Sequence, residues 1–241
     1  MDDVDPSQPK EEDMLASVFG AVAEEEGGDS LNEDVAKLRR AWCNEVCAPE
    51  LLGYEEELVA DMHEMVNNQQ GIVDENRTMD ADHAFSASLY QMELDRLRYS
   101  LTKYLRTRLR KVERDAFHVL VSQAEMLDSG RLSEGERSYA SDLVDLLGGH
   151  YKAVCLGQMP VHFQKLTDEG MVQEPDLDAF VVCRPREDVG TVQVDDQDAL
   201  RTASQGAAAG QNSVDLKEGD AWVLRYRPIR SLVLEGRVDL I

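Results

Sequence analysis

The chain is poor in several things that would have named a function at once. Only four of its 241 residues are cysteine, at Cys43, Cys47, Cys155 and Cys183, too few and too scattered for a disulfide framework, so free thiols are expected. No apolar run approaches the eighteen residues of a membrane-spanning helix. Positive charge is scarce: 25 Lys and Arg stand against 48 Asp and Glu, for a formal charge of −23. So acidic a balance argues against duplex DNA as the principal ligand, because nonspecific affinity comes from cations meeting phosphate, although a local basic strip could act alone. The opening MDDVDPSQPKEED carries neither a basic nor an apolar leader, and the cytosol or nucleus is the default expectation.

Catalytic signatures are thin as well. There is no GxxxxGK[ST] phosphate loop, no GxGxxG after a strand, no GxSxG elbow and no HExxH pair. Cys43 and Cys47 lie at i, i+4, but His63 and His83 would need special folding to complete a zinc site. His150 and Cys155 are close in sequence without an identifiable orienting acid, so a nucleophilic dyad is not expected. The carboxylates show no spacing that singles out an acid/base pair. No catalytic, cofactor-binding or metal-binding residues are assigned, and the chain is read as a non-enzyme.

What is present is strongly segregated. Residues 1–34 hold twelve acids and one lysine, and 1–29 read as a disordered acidic arm. Within it Asp13, Met14, Leu15 and Val18, with Phe19, have the spacing of one amphipathic turn. That turn reads either as a peptide folding into a partner's groove or as a frayed helix end. A helical domain is expected over 30–166. Its first helix, at 31–47, opens on a Ser30/Glu33 capping box and stops before Pro49. Tyr54, Leu58, Met62, Met65 and Val66 mark a second helix closing around Gly71.

The third element is the most informative. From Ala81 to Leu127 there is no Gly or Pro, and Tyr90, Leu94, Leu97, Leu101, Leu105, Val112, Ala116 and Val119 fall in one helical stripe, predicting an unbroken helix ~70 Å long. Arg96, Lys103, Arg106, Arg110 and Arg114 fall opposite the stripe, where they either meet phosphate or an acidic partner or form an ordinary solvated face. Arg98 and Arg108 fall beside the apolar seam, and a guanidinium there must be answered by a partner chain or an intrachain acid. Ser133 and Glu136 form another capping box, starting a helix that runs toward Gly148–Gly149. Met159 to Phe163 read as a short closing segment.

After a linker at 167–178, a small β domain is expected at 179–241. Its strands are Ala179–Arg184, Thr191–Val194, Ser213–Leu216, Ala221–Tyr226, Ser231–Leu234 and Arg237–Leu240, with a disordered insertion at 196–212. The fold class is α+β: a mostly helical N-terminal domain with a very long helix, followed by a small β-rich domain.

Several segments, in order, resemble the Sld-five subunit family of the eukaryotic GINS complex. They are Trp42, Asn44 and Glu45; Ala48–Leu52 with Tyr54; Met92–Tyr99 running on to Tyr104–Leu109; Leu132–Ser133, Glu136, Tyr139–Ala140 and His150–Tyr151; Met159–Pro160; Pro175–Asp178; Leu224–Tyr226 with Ile229; Leu232–Gly236; and Leu240–Ile241. The resemblance covers roughly residues 31–241. It implies a noncatalytic structural subunit of a nuclear heterotetramer with the three partner-of-Sld-five subunits. In that family the tetramer joins the MCM ring and the Cdc-forty-five protein in the replicative helicase, for initiation and fork progression. Carried over residue by residue, it implies a partner interface at Arg98, Tyr99, Tyr104, Arg106, Arg108, Trp222, Tyr226, Leu240 and Ile241, with Trp42, Leu51 and Leu52 packing the helical core. The Asp13, Met14, Leu15, Val18 turn is similar to the box by which yeast versions bind a trimeric replisome hub. The alternative from another class is a nucleic-acid-binding scaffold using Arg96, Lys103, Arg106, Arg110 and Arg114; an enzyme with an unrecognised acidic site is the third. No cofactor or membrane contact is implied.

Overall fold

In a computed structural model, residues 27–79, 81–122, 125–126, 129–160, 164–166, 171–193 and 213–241 are described. The chain divides into two compact units, residues 1–37 and residues 38–241. The expected hub-binding turn at Asp13, Met14, Leu15 and Val18, and the insertion at 196–212, lie outside the described residues. No helix among the described residues is long and apolar enough to cross a membrane.

The helices are α1 (Gly27–Cys47), α2 (Glu56–Arg77), α3 (Ala81–Arg114), α4 (Ala116–Val121) and α5 (Glu134–Val154), followed by a 3-10 turn at Leu156–Gln158. Helix α1 begins at Gly27, so Ser30 lies inside it rather than at its cap, contrary to the Ser30/Glu33 expectation. At the end of the first unit, Lys37 pairs with Asp34 (3.2 Å) and Glu33 (3.4 Å), one turn back on the same face. The second capping box is present in full: Ser133 Oγ accepts from the Glu136 N–H, and the Glu136 carboxylate accepts from the Ser133 N–H. Helices α2 and α5 run through Gly71 and Gly148–Gly149, where the sequence suggested stops. A lone helical glycine costs only about 1 kcal/mol against alanine, too little to end a helix whose apolar face is packed.

Helix α3 is shorter than expected, 34 residues, or ~51 Å. It ends in a kink, because Asp115 leaves helical dihedrals (φ −112°, ψ 29°). The backbone ladder still passes through the kink: Asp115 N–H donates to Lys111 O and Val119 N–H to Asp115 O, each at 2.9 Å. Along α3, Ala87 and Leu94 pack on Val66 and Val73 of α2, whereas Val112 packs with Val119, Leu51, Leu132 and Ala140. Tyr90, placed in the stripe by its spacing, is instead exposed.

The C-terminal part contains β1 (Phe180–Pro185), β2 (Gly190–Gln193), β3 (Ser213–Leu216), β4 (Trp222–Arg225), α6 (Tyr226–Leu234) and β5 (Val238–Leu240). Strand β1 is central in an antiparallel sheet of order β4-β1-β5, and β2 pairs with β3 as a separate ribbon. Alternation along β1 buries Val181, Cys183 and Pro185 and exposes Phe180, Val182 and Arg184. The expected strand at Ser231–Leu234 is a helix. Tyr226, Ile229 and Val233 recur at i, i+3, i+7 and are all buried, and Pro228 sits in the first turn, where no amide is needed. Gly236, at φ 73°, turns the chain from α6 into β5. This sheet and helix do not bury a core alone, since Ala48 and Leu52 belong to the same apolar cluster as Val181, Tyr226, Ile229 and Leu240.

Candidate assembly surfaces and the charge network behind them

Arg108 lies on α3 at the point where α1, the 50–54 segment and the start of α5 converge, and it is fully buried. Its Nε and Nη2 donate to the two oxygens of Glu136 (2.7 and 3.0 Å), Nη1 donates to Glu45 Oε2 (3.1 Å) and Leu52 O (3.0 Å), and Nη2 also donates to Arg131 O (2.7 Å). The rings of Tyr54 and Tyr104 flank the guanidinium at 5.1 and 5.8 Å. Burial works against the charge, but Glu136 and Glu45 outweigh it and hold Arg108 more basic than usual. One turn along the same face, Lys111 Nζ donates to the other Glu45 oxygen (2.8 Å) and to Glu50 O (2.7 Å). For Lys111 burial wins, and its pKa is lowered despite Glu45. Burial also pushes the Tyr104 hydroxyl up to about 12; its oxygen accepts from the Glu55 N–H (3.4 Å).

A second knot ties the β part to the helices. The Glu50 carboxylate accepts from Tyr226 Oη (2.9 Å), from Arg230 Nε and Nη2 (2.6 and 2.7 Å) and from Arg131 Nη1 (3.1 Å). Burial would raise the Glu50 pKa; Arg230, Arg131 and Tyr226 together lower it. Burial and the adjoining Glu50 raise the Tyr226 hydroxyl. Nearby, the Leu240 N–H donates to Asn44 Oδ1 (2.7 Å), and Arg40 pairs with Asp239 (3.3 Å).

These contacts change the reading of four expected interface residues. Tyr104, Arg108, Tyr226 and Leu240 are buried in their own chain and offer no surface to a partner. The acids that answer Arg108 are intrachain, so its place beside the seam requires no neighbouring polypeptide. Arg98 is half-buried with Asp95 at 3.8 Å, a pair of little energetic weight. Tyr99, Arg106 and Ile241 are exposed, and Trp222 is half-buried with an indole N–H that has no acceptor among the described residues. Trp42 packs edge-on against Tyr99; Leu51 is buried in the helical core, whereas Leu52 is buried in the cluster shared with the sheet.

The basic face is only partly available. Arg96 pairs with Glu93 (2.9 Å), Lys103 lies over the Tyr99 ring (5.2 Å), and Arg114 is engaged by Asp115 (2.7 Å) and Pro49 O (2.8 Å). Arg106 and Arg110 are exposed and carry no ion pair among the described residues. Cys43 and Cys47 form no ligand set, and no group of three or more His, Cys, Asp or Glu among the described residues could hold a metal ion.

Among the described residues three apolar faces are left open, and of their residues sequence reasoning singled out only Tyr99. Phe85, Leu89, Met92 and Tyr99 recur on one side of α3, Phe85 being 67% exposed. Leu146, 69% exposed, and Val154 stand out from α5. On the outer side of the sheet Phe180, 68% exposed, adjoins the paired Val182 and Val223. The signal for the first was available: Phe85, Leu89 and Met92 have helical spacing, offset from the stripe that packs on α2.

Comparison with known proteins accounts for both halves. A family model described as the GINS complex protein helical bundle domain matches residues 54–154, and one described as the C-terminus of the DNA replication complex GINS protein SLD5 matches residues 175–241. Relatives described as DNA replication complex GINS protein SLD5 include that of Dictyostelium discoideum, 33% identical over 207 residues, covering 85% of this chain and 90% of its own. Those of Arabidopsis thaliana (33% over 215 residues, 86% and 91%) and Homo sapiens (34% over 212 residues, 87% and 89%) are similar to the same extent. With two domain models in the right order and full-length relatives at this identity, the chain belongs to the SLD5 family of GINS proteins.

Proposed function

We propose that this chain is a noncatalytic structural subunit of a GINS heterotetramer. It assembles with three partner-of-Sld-five subunits in the nucleus, and the tetramer joins the MCM ring and the Cdc-forty-five protein in the replicative DNA helicase for initiation and fork progression. The observation that carries the reading is the set of open apolar faces on α3, α5 and the sheet, in a chain whose family is established. A soluble monomer rarely leaves several such faces to water, whereas a subunit with several neighbours needs them. The buried ion network supports this role by fixing the helices and the sheet so that the faces are presented rigidly. Tyr99, Arg98, Arg106, Trp222 and Ile241 remain its interface residues, now joined by Phe85, Leu89 and Met92. The Asp13, Met14, Leu15, Val18 turn is a candidate peptide for a trimeric replisome hub on resemblance alone.

The test is coexpression with the three candidate partners, followed by size exclusion with multi-angle light scattering. A 1:1:1:1 complex is expected, lost in Phe85→Asp/Met92→Asp, whose exposed positions leave the helical circular dichroism unchanged. A folded monomer indifferent to those partners would overturn the reading.

A second reading rests on Arg106 and Arg110, the exposed cations of the basic face without an acid. A nucleic-acid contact through them predicts single-stranded DNA binding that falls with salt and drops in Arg106→Glu/Arg110→Glu. No effect of that variant at low salt removes this role.

A further inference from the structure

Between α4, the turn at Ser129–Arg131 and the segment at Glu174–Leu177 lies a cavity of about 180 Å³. A single buried water needs only about 10–15 Å³. Its apolar lining includes Leu51, Val119 and Met126, the first two buried, with Pro175 and Leu177. Other charges on its wall are already matched: buried Lys111 by Glu45 (2.8 Å), half-buried Arg131 and Arg230 by Glu50 (3.1 and 2.6 Å), and buried Asp115 by Arg114 (2.7 Å). Two exposed acids also line it, Glu125 and Glu174, and neither has an ion pair or side-chain hydrogen bond among the described residues. Glu125 reaches Arg230 only as a more distant charge, while that guanidinium donates both its bonds to Glu50.

This combination selects a shape and a charge. An anion entering the cavity meets the unpaired carboxylates of Glu125 and Glu174, and a purely apolar group leaves them unanswered. A long unbranched chain ending in a cation satisfies both parts: its methylenes cover Leu51, Val119 and Met126, and its head stays in water beside the two acids. We propose that the cavity is a socket for a lysine or arginine side chain presented by a partner polypeptide. The socket does not depend on the assembly reading, since its residues lie apart from the apolar faces that carry it.

The test uses the full chain, with whatever subunits copurify, carrying labelled methionine methyls. It is titrated with N-acetyl-lysine amide and N-acetyl-arginine amide, and with the norleucine and glutamate analogues as neutral and anionic controls. Saturable shifts of the Met126 methyl are expected with the cationic probes, at dissociation constants of about 1–10 mM. The double variant Glu125→Gln/Glu174→Gln, which alters no ion pair among the described residues, should weaken them by about threefold to tenfold. Absence of a shift, equal shifts with norleucine, or unchanged affinity in the double variant would overturn the proposal.

Discussion

Replacing Arg108 by alanine removes the cation that two buried carboxylates share. Glu45 is 1% exposed and keeps Lys111 as a partner; among the described residues Glu136 keeps only the Ser133 N–H. The carbonyls of Leu52 and Arg131 lose their donors as well. Breaking a buried pair by deleting one side typically costs about 3–5 kcal/mol, because the other charge is left without compensation. For a chain of this size that corresponds to a fall of about 6–20 °C in Tm. The cost should belong to the stranded charge rather than to lost volume, and a double-mutant cycle separates the two. Adding Glu136→Gln to Arg108→Ala removes the stranded charge, so the double variant should melt higher than Arg108→Ala alone. Calorimetry of the wild type, both single variants and the double variant, in the same complex, gives the coupling. If the two effects add to within about 0.5 kcal/mol, or if Arg108→Ala melts within a degree of wild type, the buried charges are not coupled through Arg108.

The Glu50 knot makes a pH prediction: its folded pKa lies below the ordinary 4.5, so the stability it contributes is present above pH 4.5 and is lost as the pH falls through the lowered value. Glu50→Gln should flatten that acid limb, and at neutral pH it should raise amide exchange in β1, β4 and α6 above that of α3; uniform exchange in all of them would contradict the clasp. Ser133→Ala removes the half-exposed cap of α5 and should cost about 1 kcal/mol, read as a lowered denaturant midpoint at unchanged m. An unchanged midpoint would mean the capping box carries no weight.

Much of the architecture was written in short-range pattern. The i, i+3, i+4 spacing placed α1, α2, α3 and α5, the Ser133/Glu136 box marked the start of α5 to the residue, and short β-like runs between turn signals marked β1 and β4. These signals survive in one dimension because a helix turn or a strand pair of residues is set by neighbours a few positions away. The ordered matches that identify the family are of the same kind. Pattern failed where two periods compete over a short apolar run: Ser231–Leu234 reads as a strand alone and as the end of a helix once Tyr226 and Ile229 are included. It also failed at Asp115, where neither Gly nor Pro announces the kink.

What the linear text left open was which partner answers each charge. Arg108 was expected to need an acid, but Glu45 lies 63 positions away and Glu136 28 away, and Glu50 meets Arg230 across 180 positions. Spacing over such distances carries no geometry. Only the packing of α1 and α5 against α3 brings those carboxylates to one guanidinium. Packing among the helices turned Tyr104 and Arg108 inward, and the cluster of the sheet, α6, Ala48 and Leu52 did the same for Tyr226 and Leu240. Phe85, Leu89 and Met92 were left outside because a helix has more apolar surface than its neighbours within one chain can cover.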